Sequence, residues 1–246
     1  MSGPGQTPRG VLITGTDTGV GKTIVTAAVV TALTANGFNT GVMKPIATGT
    51  SPGADALSDP DWLASVTGVD DPPDLIAPYR LRTAASPLIA AAREGLAIEP
   101  ARIIGAFQAL SARHDCVVVE GIGGVLVPVT PDLFIADLAR QMGLSVLIVA
   151  RAGIGSINHT LMTLECLRNR GVPILGLIFN HPSPPPAGPD ESDTVRTILR
   201  FSGLPSFGEL PYCAGLPTAW AQHRNRLVAG LSVHGLLDAL GLRGLA

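Results

Sequence analysis

Residues 15–23 read Gly-Thr-Asp-Thr-Gly-Val-Gly-Lys-Thr, directly after the apolar run 10–14 and before a segment, 24–36, that is compatible with a helix. Glycines allow backbone N–H groups to converge on anionic oxygens, and the N-terminus of the following helix adds the positive end of its dipole. In such a loop Lys22 supplies a positive charge to the phosphates, and the Thr23 hydroxyl is placed to ligate Mg²⁺. The stretch therefore predicts a strand, a loop that binds nucleoside triphosphate, and a helix.

The loop is a variant of the general pattern. That pattern has a glycine six residues before the lysine, whereas Thr16 stands there and Gly15 lies one place earlier. The alternative is a glycine-rich strand-to-helix turn in which Gly-Lys-Thr occurs by coincidence. The strand before the loop and the helix after it favour the phosphate-binding interpretation.

Length and composition predict one large α/β domain. The chain has 246 residues, of which 46% are hydrophobic and 15% charged, so it is long and apolar enough to bury a core. The net charge is −2 and no basic stretch occurs, so we expect no nucleic acid partner. No uninterrupted apolar run reaches the ~18 residues that span a bilayer, so we expect no membrane insertion.

The two ends of the chain and its cysteines bear on location and redox state. Residues 1–8 are small and polar without the apolar core of a signal peptide, and we expect a flexible tail, one domain over 9–246, and a cytoplasmic protein. The three cysteines are widely spaced in apolar surroundings, which favours buried thiols over a zinc site or disulfides.

Apolar runs alternate with segments of helical character along the chain. The candidate strands are 11–14, 40–44, 116–120, 145–150 and 174–180, and the candidate helices are 23–36, 86–94, 100–113, 132–142 and 158–170. Runs that are apolar without alternation are typical of strands covered on both faces. The pattern predicts a doubly wound domain with a mostly parallel sheet, similar to P-loop NTPases, with ligands at the carboxyl ends of the strands.

Two segments interrupt this alternation. Residues 48–79 are rich in Asp, Pro, Gly and Ser, and predict an excursion near the site with a short helix around Trp62. Residues 182–189 contain five prolines, which predict a surface loop.

Two charged residues end predicted strands. Lys44 closes the second strand. The chain has only two lysines, Lys22 and Lys44, among its 17 basic residues. This scarcity favours a role for Lys44 at the phosphates over that of an ordinary surface lysine. Glu120 closes the third strand before Gly121-Ile122-Gly123-Gly124, a position from which NTPases hold Mg²⁺. The alternative for Glu120 is a solvated side chain at an ordinary turn.

Weaker signals come from three further positions. Asp61 is a second candidate carboxylate for Mg²⁺, although other aspartates share its segment. Residues 153–159 open a helix whose N–H groups suit a carboxylate, and His159 there is either a catalytic base or structural. Asn180 ends the fifth strand, where its amide could pair with adenine or form a turn.

In order along the chain, these motifs resemble the ATP-dependent dethiobiotin synthetase family. The resemblance spans residues 10–215 and is carried by residues 15–23, Lys44-Pro45-Ile46-Ala47-Thr48-Gly49, Val119-Glu120-Gly121-Ile122-Gly123-Gly124 and Ile157-Asn158-His159. It implies an enzyme of biotin synthesis that closes a cyclic urea from 7,8-diaminopelargonate (7,8-diaminononanoate), CO₂ and ATP. One amine captures CO₂ as a carbamate, and the carbamate attacks the γ-phosphate to give a carbamic–phosphoric anhydride. The second amine then closes the ring and expels phosphate.

The resemblance also implies roles for individual residues. Lys22 and Lys44 would be catalytic, and Mg²⁺ would be held by Thr23, Asp61 and Glu120. ATP would be bound by Gly19, Val20, Gly21, Lys22, Thr23, Ile24, Asp61, Glu120, Gly121, Ile122, Gly123, Asn180, His181, Pro211, Tyr212 and Cys213. The diamine would contact Thr18, Thr48, Gly155 and Asn158, the last two from the partner of a homodimer. His181 stands where the family often has an acid, and the correspondence ends near Thr218.

Two other classes of protein are alternatives to this family. A partitioning or division-site ATPase carries a second lysine five residues before the loop lysine, where this chain has Asp17. A cobyrinate-type amidoligase needs a glutaminase domain, for which 246 residues leave no room. Fold analogy alone does not separate these classes.

Overall fold

The computed structural model describes residues 9–50, 57–184 and 192–243. The strands are β1 (Gly10–Gly15), β2 (Thr40–Met43), β3 (Ile46–Thr48), β4 (Tyr79–Leu81), β5 (Cys116–Glu120), β6 (Pro128–Thr130), β7 (Leu133–Phe134), β8 (Ser145–Arg151), β9 (Ile174–Asn180) and β10 (Ser206–Leu210). The helices are α1 (Lys22–Ala35), α2 (Asp59–Thr67), α3 (Pro73–Ile76), α4 (Pro87–Arg93), α5 (Pro100–Ser111), α6 (Ile135–Gln141), α7 (Ser156–Asn169), α8 (Ser192–Ser202), α9 (Trp220–Ala229) and α10 (Val233–Ala239).

Six strands form the central sheet in the order β10-β9-β8-β1-β5-β2. All five neighbouring pairs are parallel. The five predicted strands coincide with β1, β2, β5, β8 and β9, while β10 was not predicted. Because parallel strands end at one edge, the segments that follow β1, β5, β8 and β9 meet there.

Both faces of the sheet are covered by helices, as a doubly wound fold requires. Val11 and Ile13 of β1 pack into one core with α1, α2, α9 and α10. Leu12, between them, packs into the opposite core with α4, α5, α6, α7 and α8. Successive side chains of a strand point to opposite faces, so continuous apolar strands serve two cores. The predicted α/β class with a parallel sheet is confirmed.

Two small sheets flank the site edge. β3 pairs with β4 in parallel, and β6 pairs with β7 antiparallel. The second pair corrects one prediction, because Leu133–Phe134 forms a strand with Pro128–Thr130 and the helix predicted over 132–142 begins only at Ile135.

The two interrupting segments are partly described. The short helix expected around Trp62 is α2, and residues 51–56 of that excursion lie outside the described residues. Residues 182–184 are neither helix nor strand, and the rest of the proline-rich segment is not described. The predicted tail, 1–8, also lies outside the described residues. The prediction of a tail over 1–8 followed by one domain over 9–246 therefore stays a prediction.

The cysteines are free thiols. Cys116 and Cys213 are buried and Cys166 is half-buried. Burial raises the pKa of Cys116 to about 12, so this thiol stays protonated and unreactive at neutral pH.

Candidate functional site

The glycine-rich loop between β1 and α1 is held by hydrogen bonds to two other strands of the central sheet, β8 and β9. Its Thr16 N–H donates to the Val149 carbonyl of β8 at 3.1 Å. Its Val20 carbonyl accepts from Nδ2 of Asn180, at the end of β9, at 2.8 Å. Gly21 has φ +94° and lies so close to Asn180 that a Cβ there would stand 2.1 Å from Nδ2. The loop therefore requires glycine at position 21. Its hydrogen bonds to β8 and β9 fix its conformation.

Lys22 is the first residue of α1 and folds back over the loop. Its Nζ donates to the Asp17 carbonyl at 2.9 Å. Burial lowers the pKa of Lys22, and the neighbouring Glu120 only partly offsets that effect. The ammonium group is thus poorly solvated and close to the loop amides, which suits the recognition of an anion.

A compact cluster of charges lies beside the loop. Nζ of Lys44 donates to Oδ2 of Asp59 and to Oε1 of Glu120, at 2.6 Å each. The Thr23 hydroxyl donates to the same Glu120 oxygen at 2.9 Å. Burial alone would lower the pKa of Lys44, but the Glu120 and Asp59 carboxylates outweigh it and raise the pKa. Lys44 is therefore a buried cation held among hard oxygen atoms.

This cluster has the chemistry of a divalent cation site. Oε2 of Glu120 is buried and has no hydrogen-bond partner within the described residues. With Asp59 and Thr23 it provides the oxygen ligands that Mg²⁺ prefers. No cluster of three or more His, Cys, Asp and Glu side chains that could hold a metal occurs in the described part of the chain. A magnesium ion here would consequently keep water or phosphate oxygens as further ligands.

The structure corrects the prediction for Asp61. Its Oδ1 accepts from the Arg80 guanidinium at 2.8 Å, and its Oδ2 accepts from the Ser58 hydroxyl. Asp61 does not line the cavity, whereas Asp59, two residues earlier, does. The carboxylate of α2 that faces Lys44 and Glu120 is therefore Asp59, which the sequence analysis did not select.

One cavity of about 600 Å³ joins these groups. The predicted residues that line it are Thr18, Gly19, Gly21, Lys22, Thr23, Ile24, Lys44, Thr48, Glu120, Ile122, Gly123, Asn180, His181, Pro211, Tyr212 and Cys213. Val20 and Gly121 lie next to lining residues without lining it, and Gly121 borders a separate small void. The phosphate loop, both lysines and the predicted base-binding segment thus share one cavity.

One wall of the cavity is formed by the end of β9 and by the segments that follow β9 and β10. His181 lies there with its Nε2 2.6 Å from Oε1 of Glu209. Sequence reasoning missed Leu57, Trp62, Pro182 and the turn Gly215-Leu216-Pro217, which also line the cavity. Their sequence carries no motif, and the fold alone brings them to the site.

The chain's two tryptophans meet behind this wall. Trp62 of α2 lines the cavity, and Trp220 begins α9. Their rings are 5.5 Å apart, edge to face, at 83°. Their contact packs α2 against the C-terminal helices in one core.

Two predicted substrate residues lie elsewhere. Gly155 is the N-cap of α7 and Asn158 lies in its first turn, and neither lines the cavity. Both are exposed, as is Ile154 beside them. His159 does not line the cavity either, and its backbone N–H donates to the Gly155 carbonyl at 3.4 Å within the first turn of α7.

The fold and site define the class of protein. A parallel sheet, a glycine-rich loop after β1 with Lys22 and Thr23 opening α1, and an acid closing β5 are the features of a P-loop NTPase. The MinC:MinD cell division complex of Aquifex aeolicus has this fold, with a TM-score of 0.55 over 95% of this chain and 94% of that chain. The identity is 16%, so this likeness shows the fold alone.

Sequence comparison identifies the family. The AAA domain family model matches residues 9–218. The ATP-dependent dethiobiotin synthetase of Anaeromyxobacter dehalogenans is 47% identical over 76% of this chain and 81% of its own length. That of Thermodesulfovibrio yellowstonii is 38% identical over 84% and 90%. The chain belongs to the ATP-dependent dethiobiotin synthetase family.

Proposed function

We propose that this chain is a ligase of biotin synthesis that forms the cyclic urea of dethiobiotin from 7,8-diaminononanoate, CO₂ and ATP. The observation that carries the proposal is that the chain's only two lysines, Lys22 and Lys44, lie on one cavity with the phosphate-binding loop. In the described part of the chain no helix is long and apolar enough to cross a membrane. We propose that the enzyme acts in the cytoplasm.

The loop and Lys22 bind the β- and γ-phosphates. Phosphoryl transfer needs positioning and neutralisation of charge more than covalent help from the protein. The carbamate formed on one amine of the diamine attacks the γ-phosphate, and Lys44 neutralises the negative charge that the two anions bring together. Thr18 and Thr48, which line the cavity beside the lysines, hold the amine and its carbamate. This attack expels ADP and gives a carbamic–phosphoric anhydride. The second amine then attacks the carbonyl carbon of the anhydride, which closes the ring and releases phosphate.

Mg²⁺ would be held by Thr23, Asp59 and Glu120. When bound it neutralises phosphate charge and fixes the triphosphate. In the structure Nζ of Lys44 contacts one oxygen of each carboxylate, Oδ2 of Asp59 and Oε1 of Glu120. Oε2 of Glu120 has no hydrogen-bond partner in the described structure and is the oxygen of that carboxylate left for the ion.

The base lies along the wall of the cavity that β9 and β10 lead into. Asn180, His181 and the segment Pro211-Tyr212-Cys213 line that wall, and we propose that they bind the adenine. Asn180 has a second task, because its Nδ2 already supports the Val20 carbonyl of the phosphate loop. The second N–H of Nδ2 and the side-chain oxygen are the groups that we propose pair with the base.

The rival function is that of a partitioning or division-site ATPase. Those proteins share the fold, yet the position of their second lysine is occupied by Asp17. Asp17 is here part of the loop itself, where its Oδ1 accepts from the Thr18 N–H at 2.7 Å and Arg151 lies near its Oδ2. A cation reaching across from this position is therefore missing, which favours the synthetase.

The decisive experiment measures phosphate release from ATP with and without 7,8-diaminononanoate and bicarbonate. We expect release to require both, because the attacking carbamate exists only when amine and CO₂ are present. Dethiobiotin should appear in equal amount, detected by mass spectrometry. Hydrolysis that lipid vesicles or DNA stimulate, and that ignores the diamine, would refute the synthetase and support the rival.

We further propose a homodimer in which the substrate's carboxylate binds at the N-terminus of α7 of the partner. Gly155 and Asn158 do not line the cavity of their own chain, and the exposed apolar side chains Ile154 and Met162 lie on the same segment, with Met162 Sδ 3.3 Å from Asn158 Nδ2. A helix N-terminus stabilises a carboxylate. The phosphate end and the tail end of one site would then come from different chains.

Mixing two inactive variants tests this shared site. Lys44→Ala inactivates the part of a site that acts on the phosphates. Asn158→Trp blocks the part, contributed by the partner, that binds the carboxylate tail of the substrate. An equal mixture after exchange of subunits should regain about a quarter of wild-type activity, since half the dimers then hold one intact site. Sedimentation should show a dimer at assay concentration. A fully active monomer, or a mixture as inactive as its components, would contradict the proposal.

A further inference from the structure

The first turn of α2 sends its two carboxylates in different directions. Oδ2 of Asp59 contacts Nζ of Lys44 in the cavity, whereas Oδ1 of Asp61 contacts Arg80 outside it. Residues two apart on a helix lie about 200° apart around its axis, so they do not share a face. If contacts hold the face of α2 that carries Asp61, the opposite face, which carries Asp59, is directed toward the cavity.

Two hydrogen-bond donors hold the face of α2 that carries Asp61. Arg80 donates to Oδ1 at 2.8 Å, and the hydroxyl of Ser58, the N-cap residue of α2, donates to Oδ2. Both carboxylate oxygens are therefore occupied.

Arg80 belongs to a different part of the site. It lies on β4 and is paired with Ala47 of β3, directly before Thr48, which lines the cavity. The Arg80–Asp61 contact thus joins the helix that carries Asp59 to the small sheet that carries Thr48. Two elements that face the same ligands are held in one relative position.

We propose that Arg80 and Asp61 are positioning residues, which fix the first turn of α2 so that Asp59 is presented to the cation site. The proposal rests on the proposed function, because Asp59 is a magnesium ligand only there. It also explains why an ion pair with partly exposed partners is present. Such pairs add little to stability, so the main effect of this pair is to set the direction of the Asp59 side chain.

A double-mutant cycle tests the proposal without turnover. The binding of Mg²⁺ with a non-hydrolysable ATP analogue is measured by calorimetry for Asp61→Asn, Arg80→Met, the double variant and Asp59→Asn. Removing a partner that orients a metal ligand typically weakens metal binding about 10–100-fold. We expect roughly 10-fold for each of the two single variants, a larger loss for Asp59→Asn, and no further loss in the double variant.

The controls separate orientation from folding. Arg82→Met removes an exposed arginine two residues further on and should leave Mg²⁺ binding unchanged. Arg80→Lys keeps the charge and should restore part of the affinity. All variants should melt within a few degrees of wild type, since the pair adds little stability.

Three outcomes would overturn the proposal. Asp61→Asn as damaging as Asp59→Asn, with Arg80→Met harmless, would make Asp61 a direct ligand. Additive losses in the double variant would mean that the two residues act independently. Unchanged Mg²⁺ affinity in both single variants would exclude a positioning role. Any of these results leaves the proposed synthetase activity standing if dethiobiotin still forms.

Discussion

Lys44→Ala is expected to lower kcat by about 10²–10³ while KM for ATP changes little, because a group that neutralises charge in the transition state contributes mainly to turnover. Lys44 lies at the strand end between Asp59 and Glu120, and the loop and Lys22 still bind the triphosphate without it. Steady-state and single-turnover phosphate release measure the effect. A kcat within a few-fold of wild type would remove Lys44 from the mechanism.

The interpretation of Lys44→Ala requires that the variant folds. Removing Lys44 leaves the buried Glu120 carboxylate without its closest cation, and breaking a buried pair in this way destabilises a protein by about 3–5 kcal/mol. The double variant Lys44→Ala/Glu120→Gln also removes the stranded charge. We expect it to recover most of the lost stability in thermal melts and none of the activity. Arg140→Ala, an exposed substitution, should leave both unchanged.

Gly21→Ala is expected to weaken ATP binding about 100-fold or more, which corresponds to about 2.7 kcal/mol. Its Cβ would lie 2.1 Å from Nδ2 of Asn180 and 3.0 Å from Cγ, so the Asn180 side chain must move. That movement breaks the hydrogen bond to the Val20 carbonyl and leaves a buried acceptor unpaired, at a cost of about 1–3 kcal/mol. The loop would lose its support from β9.

Gly19→Ala is the matched control. Gly19 also has a positive φ, +74°, but a Cβ there meets no atom within 4 Å. Both substitutions carry the penalty of a left-handed backbone, about 1–2 kcal/mol, and only Gly21→Ala adds the contact with Asn180. Calorimetric titration with ATP compares the two. Equal losses of affinity would mean that backbone strain, and not the Asn180 contact, makes glycine necessary.

The central sheet was readable from the sequence because of its environment. β1, β5 and β8 are buried on both faces, which leaves continuous apolar runs between polar loops. β10 was missed for the opposite reason. It is an edge strand with two of its five residues buried, and it contains Gly208 and Glu209, which weaken any strand pattern.

The site residues were predictable where a charged side chain ends a strand or directly follows it. Lys44 and Glu120 end or follow buried strands, and the sheet brings them together without further information. Asp59 could not be distinguished from Asp61, because both lie in one polar segment. The choice depends on where α2 begins and on Arg80, some twenty residues later, and such contacts leave no local pattern.

The tryptophan pair gives the enzyme an optical property. Trp62 lies on the wall of the cavity and Trp220 is buried behind it, with its indole N–H unpaired in the described structure. These are the chain's only tryptophans, so all its indole fluorescence originates beside the ligands. Filling the cavity displaces water from one ring and alters the coupling between the two. The emission of the unlabelled protein should therefore report the occupancy of its active site directly.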